Sequence, residues 1–382
     1  MPPRTATPHT ARLINDRAAF DLLLEHGHLS RAELQQRTGL SRATIGDLVD
    51  RLEADRLITP VGESPSRRRG PNAVLYGVVA DRAHVAGVEV RPREVLASVN
   101  DLTGGQVGFA RGPLDPAAEP DRLVHDTIGA ALADARLGAD RLDGVVIGTP
   151  GLIDPETGDV AFVGALPTWH ANLLPGLRAR LGGLPVLVEN EVNLAGLAEH
   201  RLGAARGEDT FALISLDTGV GMALVLNGRL HRGRSGGAGE ISYLPSGLAG
   251  ASFPHLVCGQ ALFALAAEHG MGVSVPAAAA RVAGEEVAAM VRKAPGSFLD
   301  ALAERIAFGA LAVCAVLDPG CLILAGPVGR AGGEELAARV EERLARQIPL
   351  PTRVMPGTVE GDVVLRGAVL VALERLYQQM FR

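Results

Sequence analysis

Between residues 10 and 57, apolar positions repeat with the period of an α-helix. The clearest stripe falls at i, i+3, i+4 and i+7 and consists of Ile45, Leu48, Val49 and Leu52. We predict three helices in this region. The first runs from about Thr10 to His26, and the other two lie within residues 30–57 and are joined by a tight turn.

Polar residues mark where the second and third helices begin and end. Ser30 is a suitable N-cap, and Glu33 three positions later completes a capping box. Gly39 stands where a left-handed residue ends a helix, and Ser41 can cap the next one. This pattern is typical of a helix-turn-helix motif, although an ordinary helical hairpin within a larger α domain would give a similar one.

A strand pattern follows the helices. Residues 57–61 and the apolar stretch 73–79 flank a polar turn at 62–66 and the run Arg67-Arg68-Arg69-Gly70-Pro71. Three helices followed by a two-stranded ribbon with a basic tip predict a winged helix-turn-helix. The alternative is that the three arginines lie in a solvated basic loop without a binding role. Beside these helices we favour contact with DNA phosphates or with a narrow minor groove.

From residue 84 onward, strand and helix patterns alternate, and the order occurs twice. The first series has strands at 84–90, 95–100, 106–110, 145–147 and 185–189, with helices at 116–137 and 191–201. The second has strands at 211–216, 220–226, 229–230 and 321–326, with helices between 257 and 317 and at 333–347 and 362–382. Two related α/β lobes are predicted, with a ligand cleft between them.

We therefore expect three domains within the 382 residues. Residues 1–79 form the winged helix-turn-helix. Residues 80–190 form the first lobe, to which the C-terminal helix 362–382 returns. Residues 191–361 form the second lobe.

Charge is distributed unevenly along the chain. Residues 1–77 contain 11 Arg and 9 acidic residues, a net charge of +2, whereas the whole chain carries −6, which leaves −8 for the rest. A slightly basic head on an acidic body suits a nucleic-acid reader. Three cysteines cannot build a disulfide framework, and no signal peptide or long uncharged apolar run occurs. We expect a cytoplasmic protein without membrane contact.

The candidate DNA contacts are polar or basic residues in the head. Ser41, Arg42 and Thr44 lie at the start of the third helix, off its apolar stripe, where a recognition helix presents side chains to the major groove. The full set is Arg31, Ser41, Arg42, Thr44, Arg67, Arg68 and Arg69. The expected partner is a double-stranded, palindromic operator, because a two-fold dimer reads two half-sites.

Four further stretches, taken together, resemble the ROK family (repressor, open reading frame, kinase) over nearly the whole chain. They are Leu29–Leu34, Gly148–Asp154, Glu189–Ala195, and Asn227–Arg229 leading to Gly236–Ile241. The resemblance implies a two-lobed, ribonuclease H-like fold shared with actin, Hsp70 and sugar kinases. Members with an N-terminal head are sugar-responsive repressors, and members without it are mostly sugar kinases.

Departures from the kinase pattern favour a regulator without catalytic residues. The first phosphate loop of the kinases is replaced by Glu89-Val90-Arg91-Pro92-Arg93, in which Pro92 has no amide to offer a phosphate. The family's catalytic Asp is replaced by Glu191, one methylene longer, and a misplacement of about 1 Å can lower a rate about 100-fold. Asp217–Gly221 keeps more of the second phosphate loop. We expect no ATP cofactor.

The resemblance also implies a structural zinc in many members, held by one His and three Cys. Here Tyr243 stands at the His position and Cys258 is the one cysteine that aligns. Since a structural zinc needs four ligands, we predict no zinc and a Cys258 that is simply buried.

By the same resemblance, a sugar-type effector would be bound by Asn190, Glu191 and Glu240, with Tyr243 in place of a sugar-contacting His. Hydroxyl-rich ligands do need such converging acceptors and amides. The structural alternative is that Asn190 only caps its helix and Glu240 only shapes a turn.

The function that we predict is a homodimeric or homotetrameric transcription regulator, a repressor of carbohydrate-metabolism genes. Two alternatives stay open at this point. One is an ATP-dependent sugar kinase with a regulatory head, and the other is a regulator that needs no small ligand.

Overall fold

The computed structural model describes residues 8–64, 73–115, 118–161, 173–247, 250–276 and 284–382. These residues fall into two compact units. The first lies within Met1–Ile147, Asn172–Leu187 and Ala368–Arg382, and the second within Gly148–Ala171 and Val188–Gly367. Among the described residues, no helix combines the length and apolar character that crossing a bilayer requires.

The first unit begins with a winged helix-turn-helix. Its elements, in chain order, are α1 (Pro8–His26), β1 (Leu29–Ser30), α2 (Arg31–Thr38), α3 (Arg42–Ala54), β2 (Ile58–Ser64) and β3 (Ala73–Val78). The predicted two-stranded ribbon is wrong in one respect. A third strand is present, because Leu29 and Ser30 pair antiparallel with Tyr76 and Leu75 in the order β1-β3-β2.

The predicted caps of α2 and α3 are confirmed. Ser30 Oγ accepts from the Glu33 N–H, and the Glu33 carboxylate accepts from the Ser30 N–H at 2.8 Å, which is a complete capping box. Gly39 ends α2 in the left-handed region at φ 71°. On α3, the predicted apolar stripe is buried and holds the helix against its neighbours: Ile45, Leu48, Val49 and Leu52.

The rest of the first unit is built on a five-stranded sheet. Its strands are β4 (His84–Val90), β5 (Glu94–Asp101), β6 (Gln106–Pro113), β7 (Leu142–Thr149) and β10 (Val186–Asn190), in the order β10-β7-β4-β5-β6. The helices are α4 (Pro120–Asp134), α5 (Leu173–Arg180) and α12 (Val363–Met380). Strands β7 and β10 and helix α12 continue into the second unit. Helix α4 is shorter than the predicted 116–137, since Pro120 sits in its first turn and Ala135 caps its end.

A second five-stranded sheet, in the order β13-β12-β11-β14-β15, forms the centre of the second unit. Its strands are β11 (Phe211–Leu216), β12 (Val220–Leu226), β13 (Arg229–Leu230), β14 (Cys321–Ala325) and β15 (Arg353–Pro356). A small hairpin joins β8 (Leu152–Ile153) and β9 (Val160–Ala161). The helices are α6 (Glu191–Leu202), α7 (Pro254–Val257), α8 (Gly259–Glu268), α9 (Gly284–Val291), α10 (Gly296–Leu317) and α11 (Gly326–Gln347).

The tight turn between β12 and β13 follows directly from its sequence. Asn227 and Gly228 both have positive φ, 52° and 71°, which is the geometry that an Asn-Gly hairpin turn requires. Helix α11, in contrast, begins seven residues before the predicted start. It follows β14 at Gly326 and is interrupted at Gly333, whose φ of 56° is not helical. The sequence pattern missed the first turns of α11 because this stretch is rich in glycine, which disfavours a helix. Packing of α11 against β11 supports these turns.

Candidate functional site

The first turn of α3 presents polar groups to solvent. Ser41 caps the helix by accepting from the Thr44 N–H at 3.2 Å, and the two hydroxyls lie 2.9 Å apart. Arg42 is exposed, and within the described residues its guanidinium makes no hydrogen bond or ion pair. A free cation beside a capped helix start is chemically suited to a phosphate or a base edge. That role stays a prediction for all three residues.

Arg31, another predicted DNA contact, has partners inside the head. Its Nη2 lies 2.6 Å from Asp50 Oδ1, its Nε donates to Tyr76 Oη at 3.2 Å, and its guanidinium lies over the Tyr76 ring, 5.5 Å from the centroid. Arg51, on helix α3, is likewise bound at 2.6 Å to Asp16. The remaining predicted contacts, Arg67, Arg68 and Arg69, lie outside the described residues.

In the second unit, Asn190 caps α6 as the structural alternative foresaw. Its Oδ1 accepts from the N–H groups of Val192 at 2.8 Å and Asn193 at 3.2 Å. Its Nδ2 donates to the Gly151 carbonyl at 2.9 Å. The side chain is thereby fixed, and its second amide hydrogen has no acceptor among the described residues. Binding of a ligand by Asn190 stays a prediction.

Three of the sequence motifs meet around this cap. The Asn190–Gly151 bond joins the motif at 189–195 to the motif at 148–154. The motif at 236–241 joins them because Gly236, at φ 79°, is packed so closely on the Ile153 carbonyl that any Cβ would collide with it. Gly239, at φ 94°, packs in the same way on the Met222 carbonyl. Only glycine fits these two approaches, which explains the spacing of the glycines.

An ion pair between a buried carboxylate and a half-exposed arginine stabilises the same junction. The Glu189 carboxylate, on a residue only 2% exposed, accepts from Arg232 Nε at 2.7 Å and Nη2 at 2.6 Å. Its other oxygen accepts from Asn193 Nδ2 at 2.9 Å. Arg232 precedes the glycine-rich loop that leads to Glu240. The pair therefore holds this loop against the start of α6.

The other predicted effector residues border this junction. Glu191 is the first residue of α6 and is half-buried. Glu240 precedes the short 3₁₀ turn Ile241–Tyr243, and its carboxylate accepts from Ser242 Oγ at 3.2 Å. Tyr243 is 66% exposed. Two carboxylates near an anchored amide can bind hydroxyl groups.

Comparison with known families decides the identity of the main domain. Residues 88–375 match the ROK family, and residues 12–59 match a winged helix-turn-helix DNA-binding family. The chain belongs to the ROK family. The ROK domain thus carries an N-terminal winged helix-turn-helix, as the resemblance implied.

Curated relatives of this ROK protein include transcription regulators. The xylose repressor of Bacillus subtilis is 27% identical over 235 residues, which is 60% of each chain. The DNA-binding transcriptional dual regulator NagC of Escherichia coli is 24% identical over 234 residues, 60% of this chain and 57% of its own. The chain thus spans about 60% of the length of the curated relatives that it matches.

Solved structures support the fold. A ROK family transcriptional regulator, a homologue of the E. coli MLC protein, superposes with a TM-score of 0.75 over 98% of both chains at 21% identity. A ROK glucokinase from Streptomyces griseus, in complex with glucose and AMPPNP, gives a TM-score of 0.61 at 25% identity. That match covers 76% of this chain and all of the glucokinase chain.

The two stretches of the ROK domain that correspond to phosphate loops carry carboxylates. Arg91 is held by Glu89 at 2.8 Å and by Glu94 at 3.1 Å. In the turn between β11 and β12, Asp217 Oδ1 accepts from the Thr218 N–H at 2.7 Å. That oxygen also lies so close to Gly284, the first residue of α9, that a Cβ there would collide with it.

Cys258 is buried at the junction of α7 and α8. Burial, together with the nearby charge of Asp217, raises the pKa of its thiol to about 12. Within the described residues, no three His, Cys, Asp or Glu side chains are gathered closely enough to hold a metal ion. Absence of the family's zinc stays a prediction.

Sequence reasoning missed Glu189 and Arg232 as site residues. In the sequence, Glu189 is only the first residue of a motif, and Arg232 belongs to none of the motifs. A glutamate at the end of an otherwise apolar strand was a signal, because a buried carboxylate requires a cationic partner. The identity of that partner, 43 positions away, depended on the tertiary fold.

Proposed function

We propose that this protein is a DNA-binding transcription regulator that represses carbohydrate-metabolism genes. The observation that carries the proposal is the capped, solvent-facing start of α3, where Arg42 has no partner among the described residues. Positive charge and free helical amides at such a place suit the major groove. The named relatives, a xylose repressor and NagC, support the same role.

The effector of this regulator is a sugar-type molecule bound near the start of α6. Glu191 and Glu240 supply acceptors for hydroxyl groups, and the remaining amide hydrogen of Asn190 supplies a donor. Exposed Tyr243 adds a phenol at the rim. The ligand can change operator affinity only by as much as it prefers one conformation of the protein over another.

This regulator works without phosphorylating its ligand, without ATP and without zinc. In kinases, phosphate loops offer free amides and hydroxyls. Here Arg91 is neutralised by two carboxylates, and the Asp217 carboxylate engages the Thr218 amide in the second loop. One aligned cysteine, Cys258, cannot hold a structural zinc by itself.

Operator binding further requires a homodimer or homotetramer. Two winged heads related by two-fold symmetry read the half-sites of a palindrome spaced about 34 Å apart, or a multiple of that distance.

The test is a gel-shift titration of the full-length protein on DNA from upstream of its own gene. The titration is repeated with xylose, N-acetylglucosamine and glucose. We expect specific binding that one of the sugars releases. The Arg42→Ala variant is titrated in the same way and should bind more weakly than the wild type. Arg346→Ala is its matched control, because it removes the same charge from an exposed site on α11. Absence of any specific shift would overturn the proposal, and a shift that no sugar alters would remove the effector from it.

Kinase activity is tested separately by ADP release from ATP with the same sugars. We expect no sugar-dependent turnover. Turnover that disappears in the Glu191→Gln variant would instead identify an enzyme with a DNA-binding head.

A further inference from the structure

One side chain from a third element contacts both helix α3 and the wing, which consists of β2 and β3. Arg31, the first residue of α2, donates from Nη2 to Asp50 on α3 at 2.6 Å and from Nε to the Tyr76 hydroxyl on β3 at 3.2 Å. The same guanidinium stacks over the Tyr76 ring. We infer that Arg31 is a positioning residue that clamps the recognition helix to the wing, and not a DNA contact. The inference rests on the proposed function.

The backbone places Arg31 where it can reach both partners. Strand β1 ends at Ser30 and pairs with β3, with Leu29 opposite Tyr76. The capping box then starts α2 at the next residue, so that the Arg31 side chain leaves the chain beside the Tyr76 ring. Tyr76 itself is only 6% exposed, which gives the clamp a fixed end.

The guanidinium of Arg31 lies against one face of α3, which carries a glycine and two carboxylates. Gly46, Asp50 and Glu53 lie at i, i+4 and i+7 and therefore share one face of the helix. Arg31 Nη1 would lie only 3.9 Å from a Cβ at Gly46, and Nη2 lies 3.9 Å from Glu53 Oε2. This face differs from the buried apolar stripe of α3.

The charges around Arg31 argue against its binding a DNA phosphate. One guanidinium faces two carboxylates, those of Asp50 and Glu53, so the cluster has a net charge of −1. Such a cluster has no net positive charge to offer a DNA phosphate, whereas Arg42, which has no such partner in the described part of the chain, does.

The chemistry of the clamp also requires arginine. A guanidinium can stack on an aromatic ring and donate in two directions at once, whereas a lysine ammonium is a point charge on a flexible stem. The Arg31→Lys variant therefore keeps the charge but loses the clamp. A phosphate contact would survive this substitution to a large extent.

The test compares the full-length wild type with Arg31→Ala, Arg31→Lys, Asp50→Asn and, as control, Arg42→Ala. Binding to the upstream DNA fragment is measured by fluorescence anisotropy at several KCl concentrations. Loss of one phosphate contact lowers the salt slope by about one. We expect that change for Arg42→Ala. For the other three variants we expect binding about fivefold weaker with the slope unchanged. A lowered slope in Arg31→Ala, with binding retained in Arg31→Lys and strengthened in Asp50→Asn, would overturn the inference.

A second readout does not depend on DNA. Hydrogen–deuterium exchange of the segment Ala73–Val78 reports how firmly the wing strand is held. We expect faster exchange in Arg31→Ala and Asp50→Asn and no change in Arg42→Ala. Unchanged exchange in Arg31→Ala would overturn the clamp even if the protein binds DNA. If the wild type binds no DNA, the proposed function fails, and faster exchange would still support the clamp.

Discussion

The arginines of the head differ in whether their guanidinium groups are ion-paired. Arg17, Arg31 and Arg51 are each bound to a carboxylate at 2.6–2.8 Å. Hydrogen bonding to Asp16 raises the pKa of Arg51 further above its usual value. Arg42, at the start of α3, is instead exposed and has no ion pair within the described residues. Because all four residues look alike in the sequence, only the structure separates the three ion-paired arginines from Arg42, which has no partner among the described residues.

Replacement of Arg42 by Ala should weaken binding to the upstream DNA by about tenfold, the effect of one lost base or phosphate contact. Circular dichroism should show an unchanged helix content, since Ala is a good helix former. Equal affinity of Arg42→Ala and the wild type would remove this residue from the interface.

The cysteines allow a prediction at the same scale. Cys258, Cys314 and Cys321 are all buried, and burial raises the pKa of Cys321 to about 11. Because the thiolate is the reactive form, the native protein should react with a thiol reagent at pH 8 far more slowly than the unfolded chain. Titration with Ellman's reagent with and without denaturant measures this. Rapid labelling of the native protein would contradict the burial of these residues.

At the scale of elements, helix ends decide where the functional groups lie. Ser30 starts α2 and so sets Arg31 beside the wing, and Asn190 starts α6 and so sets Glu191 beside the motif junction. In both cases a polar side chain satisfies amides that the helix leaves free. The cap therefore also fixes the place of the residue that follows it, Arg31 in α2 and the candidate Glu191 in α6.

The capping box of α2 makes head stability depend on pH. Hydrogen bonds from the Ser30 N–H and hydroxyl lower the pKa of Glu33 below its ordinary 4.5. A carboxylate with a lowered pKa stabilises the fold above the unfolded value, and that contribution is lost as pH falls through the lowered pKa. Glu33→Ala should thus lower the unfolding midpoint at pH 7 and lower it less at about pH 3.

Thermal unfolding of the full-length protein at the two pH values checks this prediction. Ser30→Ala serves as the companion variant and should cost about 1 kcal/mol at pH 7, the usual effect of a lost N-cap. An equal difference between Glu33→Ala and the wild type at both pH values would show that the carboxylate makes no contribution.

At the scale of the whole molecule, the C-terminal helix packs on the first helix of the head. Phe20 of α1 is fully buried and makes an edge-on contact with Tyr377 of α12 at 5.5 Å and a tilted one with Phe381 at 5.4 Å. Arg17 adds an ion pair with Glu374 at 2.8 Å. The Tyr377 hydroxyl donates to the carbonyl of Leu102, in the turn between β5 and β6 of the same unit. Residues of α1 and of the C-terminal segment therefore pack together within the first unit.

Truncation of Phe20 to Ala should destabilise this unit by about 3–5 kcal/mol, the range for a buried Phe replaced by Ala. The first transition in differential scanning calorimetry should move down accordingly. Ile14→Ala on the same helix is the control, because Ile14 is 60% exposed and should change little. An equal effect of both substitutions would mean that the contact with α12 contributes no stability.

Much of this architecture was determined by the sequence alone. The caps of α2 and α3, the apolar stripe of α3, the Asn-Gly turn and the two α/β series depend on residues within a few positions of one another. Local hydrogen bonding and periodicity are enough to specify such features. The candidate positions Asn190 and Glu240, in contrast, came from the resemblance to the ROK family and not from a local pattern.

Other features were decided only by the tertiary structure. Strand β1 consists of two residues and exists because β3 offers it a partner. Arg31 is held by residues 19 and 45 positions away, and Glu189 by Arg232, 43 positions away. No local pattern encodes these pairs, since they depend on which surfaces the folded chain brings together. The sequence thus set most of the elements and the caps of α2 and α3. Long-range packing decided that β1 pairs with β3 and which charges are neutralised.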